Sequence, residues 1–339
     1  MGLRDRLEHV DRRDLMATKK SYSVFGFQVS SDLTLPELAV SQRVEPSPVN
    51  IQAAEQSQWP LLEPSHHSTQ TLQLGAGEWR LGLEGIGWFR ASNGQTLEWQ
   101  RWDDSVSDRD VRTFAVTSGL GAVAVQRGLL VLHGTAVERG GQAVLLLGHP
   151  ATGKSTLAWC LVQRGWRLLS SELTVVDGMG MVWPGIQQLK LWNDAAERLG
   201  LDWTQLPPVR RGLKRYALLP QEVACAEQPL PLRSLYVLRR RKPQATSTDH
   251  ADGQLRVSDP FSQQQALLSL RNQAFQARVY RGMGLEAGLF VQAGALARRM
   301  PLRALQVPDG ITAMGNGLEG IDLLDPASLL SLKGEGSDG

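Results

Sequence analysis

The stretch Leu145–Thr156, LLLGHPATGKST, constrains this chain more than any other. It fits the spacing G-x-x-x-x-G-K-[ST] through Gly148, Gly153, Lys154 and Ser155 with no mismatch. A strand-length apolar run, Ala143–Leu147, precedes it, and a helical pattern follows from Thr156 to Gln163, ending at Gly165. Arg167–Ser170 then reads as a strand, followed by Leu173–Asp177. Strand, glycine-rich turn, helix, strand is the α/β nucleotide-binding order. The spelling follows from the ligand. A nucleoside triphosphate is a dense anion, wrapped by backbone N–H groups that bulky Cβ atoms would block, hence glycine at both ends. The helix start adds positive charge. Lys154 meets the β- and γ-phosphates, Ser155 offers a hydroxyl to Mg2+, and Thr156 can donate to the α-phosphate. Ala151 and Thr152 contribute backbone N–H groups, and His149 is expected to be exposed and replaceable.

Composition sets limits around that loop. The 339 residues are 42% apolar and 21% charged with a net charge of +2, so disorder, collagen and coiled coil are poor readings and no bulk charge calls for nucleic acid. Two cysteines, Cys160 and Cys225, lie far apart, which argues against a disulfide framework or a cysteine zinc site. Met1–Lys20 is charged throughout and lacks an apolar signal region, and no run approaches the roughly 20 apolar residues of a membrane span. A cytoplasmic protein is expected, with no membrane partner. Met16 is an alternative start.

Texture divides the chain. Residues 1–20 read as a charged arm, 21–106 as a small β-rich domain, 107–328 as a P-loop domain and 329–339 as a disordered tail. In the β-rich part SYSVFGFQV alternates, as do Thr71–Leu74 and Glu78–Leu83, and Asn93-Gly94 predicts a type I′ hairpin within Trp88–Trp99. Between Ala39 and Gln70 only Val49–Ala53 reads as a strand. Ser107 or Asp108 caps one predicted helix over Arg109–Gln126. Leu129–His133 is read as a strand ending at His133, joined to Ala143–Leu147 through a connector turning at Gly140-Gly141. Later elements are a strand at Leu232–Leu238, helices at Ala266–Phe275 and Glu286–Met300, and a strand at Leu302–Val307.

Phosphoryl transfer also needs an orienting carboxylate and a Mg2+ ligand. Glu172, just past Arg167–Ser170, is the candidate for general base or Mg2+ ligand. The plain alternative is a solvated carboxylate at a turn, and Asp177 follows one strand later. His133 reads either as a structural histidine or as a group near the phosphates. Lys190 in GIQQLKLW and Lys214-Arg215 in PVRRGLKRYAL are candidate phosphate contacts, although a charge run is commonly a solvated loop. Arg239–Lys242 reads as surface, His66-His67 likewise, and most of the scattered tryptophans as packing.

HGTAV, GHPATGKSTLAW and RGWRLLSSELTVVD together resemble the catalytic domain of HPr kinase/phosphorylase and its serine-kinase relatives, some of which accompany lasso-peptide biosynthesis. FGFQVSSDLTLPEL, PGIQQLKLW and LKRYAL resemble other segments of that group, so the likeness runs from about Tyr22 to Leu324. It implies ATP and Mg2+ as cofactors, with His133 near the phosphates and Ser155 and Glu172 at the metal. Two departures stand out. Ser171 falls where the family carries the first of two aspartates, its general acid/base. The downstream Glu-x-Arg-Gly signature is absent.

The expectation is an α/β, HPr-kinase-type P-loop domain behind a β-rich N-terminal domain. It would transfer the γ-phosphoryl of ATP to a serine hydroxyl of a peptide or small protein, with Glu172 and His133 catalytic. Two other readings stay open: a small-molecule kinase on the same site, and a non-catalytic ATP-binding regulator. A homo-oligomer is compatible with all three.

Overall fold

The computed structural model of the chain describes residues 19–42, 48–55, 71–213, 215–218, 223–240, 255–308, 310–318 and 322–325. The arm up to residue 18, the tail from 326, His66, His67 and Lys214 lie outside the described residues. The fold is mixed α/β, built on two large sheets and one small ribbon.

The first sheet takes β1 (Lys20–Val24), β2 (Phe27–Ser31), β3 (Ala39–Val40), β4 (Val49–Ala53), β5 (Leu72–Gly75), β6 (Glu78–Leu83), β7 (Gly87–Ser92) and β8 (Thr96–Arg101). Their order is β3-β1-β2-β4-β8-β7-β6-β5. The SYSVFGFQV alternation is two strands, not one. Val24 faces Phe27 across Phe25-Gly26, whose φ values of 53° and 86° reverse the chain. At the other expected turn, Asn93 and Gly94 have φ of 52° and 66° and join β7 to β8.

Ser107 caps the next helix as expected, its side chain accepting from Asp110 N. The single helix expected over 109–126 is interrupted, however. It runs as α1 (Asp108–Phe114), a π-helical turn at Ala115–Gly119, and α2 (Leu120–Gln126). Thr113 and Thr117 donate to the carbonyls of Arg109 and Thr113 at 2.9 and 2.6 Å, bonds that compete with the helix ladder. Gly119 also lies against β8, where an added Cβ would sit 2.6 Å from Leu97 Cδ2.

The second sheet begins with β9 (Leu130–Arg139) and β10 (Gln142–Leu147). The expected strand end at His133 is corrected here. β9 continues six residues further, because Gly134–Arg139 pairs antiparallel with β10 around the Gly140-Gly141 turn. After the glycine turn that follows β10 come α3 (Lys154–Val162), β11 (Arg167–Ser170), β12 (Leu173–Val176) and β13 (Met181–Val182). Then follow β14 (Leu189–Trp192), α4 (Asn193–Arg198), β15 (Arg215–Leu218), β16 (Leu230–Arg240) and β17 (Arg256–Val257). The last elements are α5 (Gln263–Gln273), α6 (Ala277–Gly282), α7 (Glu286–Arg299), β18 (Leu302–Val307) and α8 (Ile311–Asn316). The sheet order is β10-β9-β12-β13-β16-β18-β17, and β10 also pairs parallel with β16, so five strands close on themselves. β14 and β15 form a separate antiparallel ribbon.

β10 runs between two cores. Ala143, Leu145 and Leu147 join an apolar cluster that also holds Val24, Phe89 and Leu97 of the first sheet, so this cluster is continuous across residue 106. Val144 and Leu146 join a second cluster with Leu157, Trp159, Leu189 and Leu218. A strand buried on both faces reads as an unbroken apolar run, as β10 does. It anchors the loop at its end from both sides. Among the described residues no helix is long and apolar enough to cross a membrane.

Candidate phosphate-binding site

Gly148 leaves β10 with φ 151°, and an added Cβ would lie 2.8 Å from Thr152 Oγ1. Gly153 stands at the start of α3 with φ 97°, a conformation that side chains other than glycine seldom adopt. Ala151 also takes a positive φ, 65°. Inside the turn Lys154 Nζ donates to the carbonyls of Gly148 at 2.6 Å and His149 at 2.9 Å. Thr152 Oγ1 donates to His149 O at 2.9 Å. The loop is thus folded on its own lysine. Burial pushes that ammonium down to about 8, Arg215 adds to the effect, and Glu172 opposes it.

The loop forms one wall of a cleft of about 1070 Å3. His133, Glu172, Lys190 and Arg215, all candidates from sequence, line the same cleft. Three elements bring them there. His133 sits mid-strand on β9, paired with Leu173. Glu172 precedes β12 at φ 65°, a left-handed backbone that costs a non-glycine residue about 1–3 kcal/mol. Its own carbonyl accepts from Gly134 N at 3.2 Å, which ties the bend to β9. Lys190 and Arg215 come from the β14–β15 ribbon. Leu189, Leu191 and Leu218 of that ribbon face the second core, while Lys190, itself buried, Trp192 and Arg215 lie on the other face.

Glu172 is the electrostatic hub. Lys190 Nζ donates to its Oε2 at 2.6 Å, and Arg215 Nη2 lies 3.6 Å from Oε1. Burial pushes the carboxyl up, but Lys190 and Arg215 outweigh it and hold the group below the usual glutamate range. His133 is lowered, chiefly by burial and further by Lys154, against the pull of Glu172, so its imidazole is neutral near pH 7. Its ring packs against Phe275 at 5.7 Å.

Ser171 does not line the cleft. It is fully buried, its N–H donates to Ile186 O at 2.8 Å, and its hydroxyl has no partner among the described residues. Of the 171–172 pair, it is therefore Glu172 that brings a side chain to the cleft. Among the described residues no group of three or more His, Cys, Asp or Glu could hold a metal ion. Magnesium needs no such group, since it keeps several waters and takes one or two protein ligands beside phosphate oxygens. Ser155, at the start of α3, and Glu172 line the cleft together and fit that small donor set, although Glu172 would have to loosen from its two cations.

Sequence reasoning missed several lining residues. Gln273, at the end of α5, is buried and accepts from Gly148 N through Oε1 at 3.1 Å, across 125 positions of chain. No local signal marks it. Arg240, read as surface, reaches the cleft because β16 runs parallel beside β10 and ends at the same side. Ligands commonly bind beyond the carboxyl ends of such strands, which was the available clue. Trp192, Asp194 and Arg198 line the outer part, at the end of β14 and along α4.

No protein-family model matches the chain, and no curated protein matches it. Among solved structures, the HPr(Ser) kinase/phosphatase from Coxiella burnetii aligns over 60% of this chain and 99% of its own, at 12% identity and a TM-score of 0.27. A likeness of that size assigns neither fold nor function.

Proposed function

We propose that this chain is an ATP-dependent kinase that transfers the γ-phosphoryl group to a serine hydroxyl of a peptide or small protein. One observation carries the reading: the loop lysine and the Glu172 carboxylate line the same cleft, on walls contributed by different elements. In this reading residues 107–328 are the catalytic part and 21–106 the β-rich part packed behind it. The N–H groups of Gly148–Thr156 and the Lys154 ammonium hold the triphosphate. To reach it, Lys154 exchanges the two loop carbonyls for phosphate oxygens. Ser155 and Glu172 would hold Mg2+, which would neutralise charge on the β- and γ-oxygens. Lys190 and Arg215 face the γ-phosphate from the opposite wall, with Lys214 as the neighbouring candidate. As they turn toward that anion, their hold on Glu172 weakens, and its carboxylate orients the serine hydroxyl and takes its proton. Neutral His133 donates a hydrogen bond toward the phosphates without adding charge.

The two ion pairs on Glu172 favour a second reading, an ATP-binding regulator, since a carboxylate held below its usual range is a weaker base. Single-turnover experiments with labelled ATP and a pool of serine peptides separate the two. Label transferred to peptide is expected. ATP that stays bound and intact would sink the kinase reading. Label on a small metabolite instead would point to a small-molecule kinase.

A further inference from the structure

The outer wall of the cleft carries Trp192 and Arg198, which the proposed triphosphate contacts do not use. Five cationic side chains, Lys154, Lys190, Arg198, Arg215 and Arg240, line the cleft against two described carboxylates, Glu172 and Asp194. Of these, Arg198 stands on α4, beyond the end of β14. Trp192 and Arg215 are directly paired across the β14–β15 ribbon, one step outward from Lys190. α4 continues from Trp192 and puts Asp194 and Arg198 on one side, four residues apart. Glu172, Arg215, Trp192 and Arg198 thus line one cleft, the first two 3.6 Å apart and the middle two paired across the ribbon.

Three observations at these residues point to a ligand. Arg215 is under-used: its Nε is buried without a partner among the described residues, and its contact with Glu172 is long, at 3.6 Å. Arg198 is exposed and makes no ion pair with any described residue, Asp194 included. Trp192 is 47% exposed, an indole left in water at the rim of a charged cleft. A buried unpaired guanidinium donor is costly and asks for an acceptor. An exposed indole paired with one guanidinium across the ribbon, and lining the same cleft as a second, offers an apolar shelf with anion contacts.

We propose that Trp192, Arg198 and Arg215 form the acceptor subsite, and that this subsite selects serine peptides with acidic residues beside the serine. The inference rests on the kinase reading, because it takes the reacting hydroxyl to sit at Glu172. With the hydroxyl there, neighbouring residues of the peptide lie along the outer wall just described. Their carboxylates meet Arg198 and the edge of Arg215 that the γ-phosphate leaves free, and their backbone lies on Trp192. Asp194 faces the same stretch and excludes a second acidic group at its own end.

The test is binding, read separately from transfer. Three fluorescent peptides of one length carry a serine flanked by aspartates, by alanines or by lysines. Anisotropy titrations use the full chain saturated with ATP analogue and Mg2+, so that the peptides cannot occupy the phosphate loop. The aspartate peptide is expected to bind about tenfold tighter than the lysine peptide, as charge complementarity across a partly exposed contact allows. Arg198→Glu, an exposed change on a short surface helix, should collapse or invert that preference. Arg233→Glu, exposed on β16 outside the cleft, should leave the preference in place. Equal binding of the three peptides, no binding of any, or a preference indifferent to Arg198→Glu would overturn the subsite. A retained acidic preference with no phosphoryl transfer would refute the kinase reading and leave the subsite standing.

Discussion

ATP binding should draw a proton from solution at pH 8, and Lys154 is the group that takes it. Burial and Arg215 lower the ammonium of the empty site from its ordinary 10.5 to about 8. A triphosphate brings several negative charges against the same nitrogen and restores its pKa. The sign follows directly. Well below pH 8 the lysine is charged with and without ATP, so nothing is exchanged. Above pH 8 the empty site has lost the proton that the filled site needs, so binding takes one up and weakens as pH rises. A free-site value of about 8 gives an uptake of about half a proton per ATP at pH 8, and an affinity loss of about eightfold between pH 7.5 and 9. Calorimetry in two buffers of different ionisation enthalpy reads the uptake from the difference in observed heat. Lys154→Met should abolish it, flatten the pH dependence and cost at least about tenfold in affinity, as loss of a charge-assisted contact does. The neighbours provide a finer check. Glu172 holds the lysine up, so Glu172→Gln should move the midpoint of uptake below pH 8. Arg215 pushes it down, so Arg215→Met should move the midpoint up. Absence of uptake at pH 8 in the wild type, or uptake that survives Lys154→Met, would refute the assignment of Lys154 to the phosphates.

Glu172→Gln should retain ATP while lowering phosphoryl transfer by about 10²–10⁴-fold, measured under single turnover; equal rates would remove Glu172 from the chemistry. Gln273→Leu takes away the acceptor of Gly148 N–H, and should weaken ATP about two- to tenfold by calorimetry with the circular-dichroism spectrum unchanged. A fragment beginning at Val106 should expose the face that Phe89 and Leu97 cover and aggregate on size exclusion; a monodisperse, ATP-binding fragment would show that the catalytic part folds alone.

The strand, glycine turn and helix around Gly148–Thr156 were legible because the signal is local. Gly148 and Gly153 stand where the turn needs a positive φ, so spacing alone placed it. The same holds for Val49–Ala53 and Glu78–Leu83, where apolar residues alternate along a single strand with the observed bounds. Failures came where a partner distant in sequence decided. β9 outran its apolar start because β10, folding back at Gly140-Gly141, pairs with Gly134–Arg139 whatever their polarity. The helix after Ser107 opened into a π turn where it meets Leu97. Gln273 has no signature at all, since an amide near a helix end becomes part of the loop only when α5 crosses the end of β10.

The cleft itself shows why a motif falls short of a mechanism. Lys154, Lys190 and Arg215 were each readable as cations for a phosphate, but nothing in the sequence shows that two of them would grip Glu172. That grip changes the chemistry expected of every member. It makes Glu172 a poor base until an anion competes for its partners. It leaves Arg215 with an unused donor, and it couples the charge of Lys154 to a carboxylate eighteen positions away. Ion pairs between groups this close in a partly dry cleft are not additive. Replacing Lys190 should therefore do two opposite things, freeing Glu172 while removing a cation from the γ-phosphate side. Lys190→Met should raise the fraction of Glu172 able to accept a proton and yet slow transfer, and Lys190→Arg should restore the charge without the 2.6 Å contact. Transfer rates in the order wild type, Lys190→Arg, Lys190→Met are expected. A faster Lys190→Met enzyme would mean that the ion pair only restrains Glu172 and that the γ-phosphate is met by Arg215 alone.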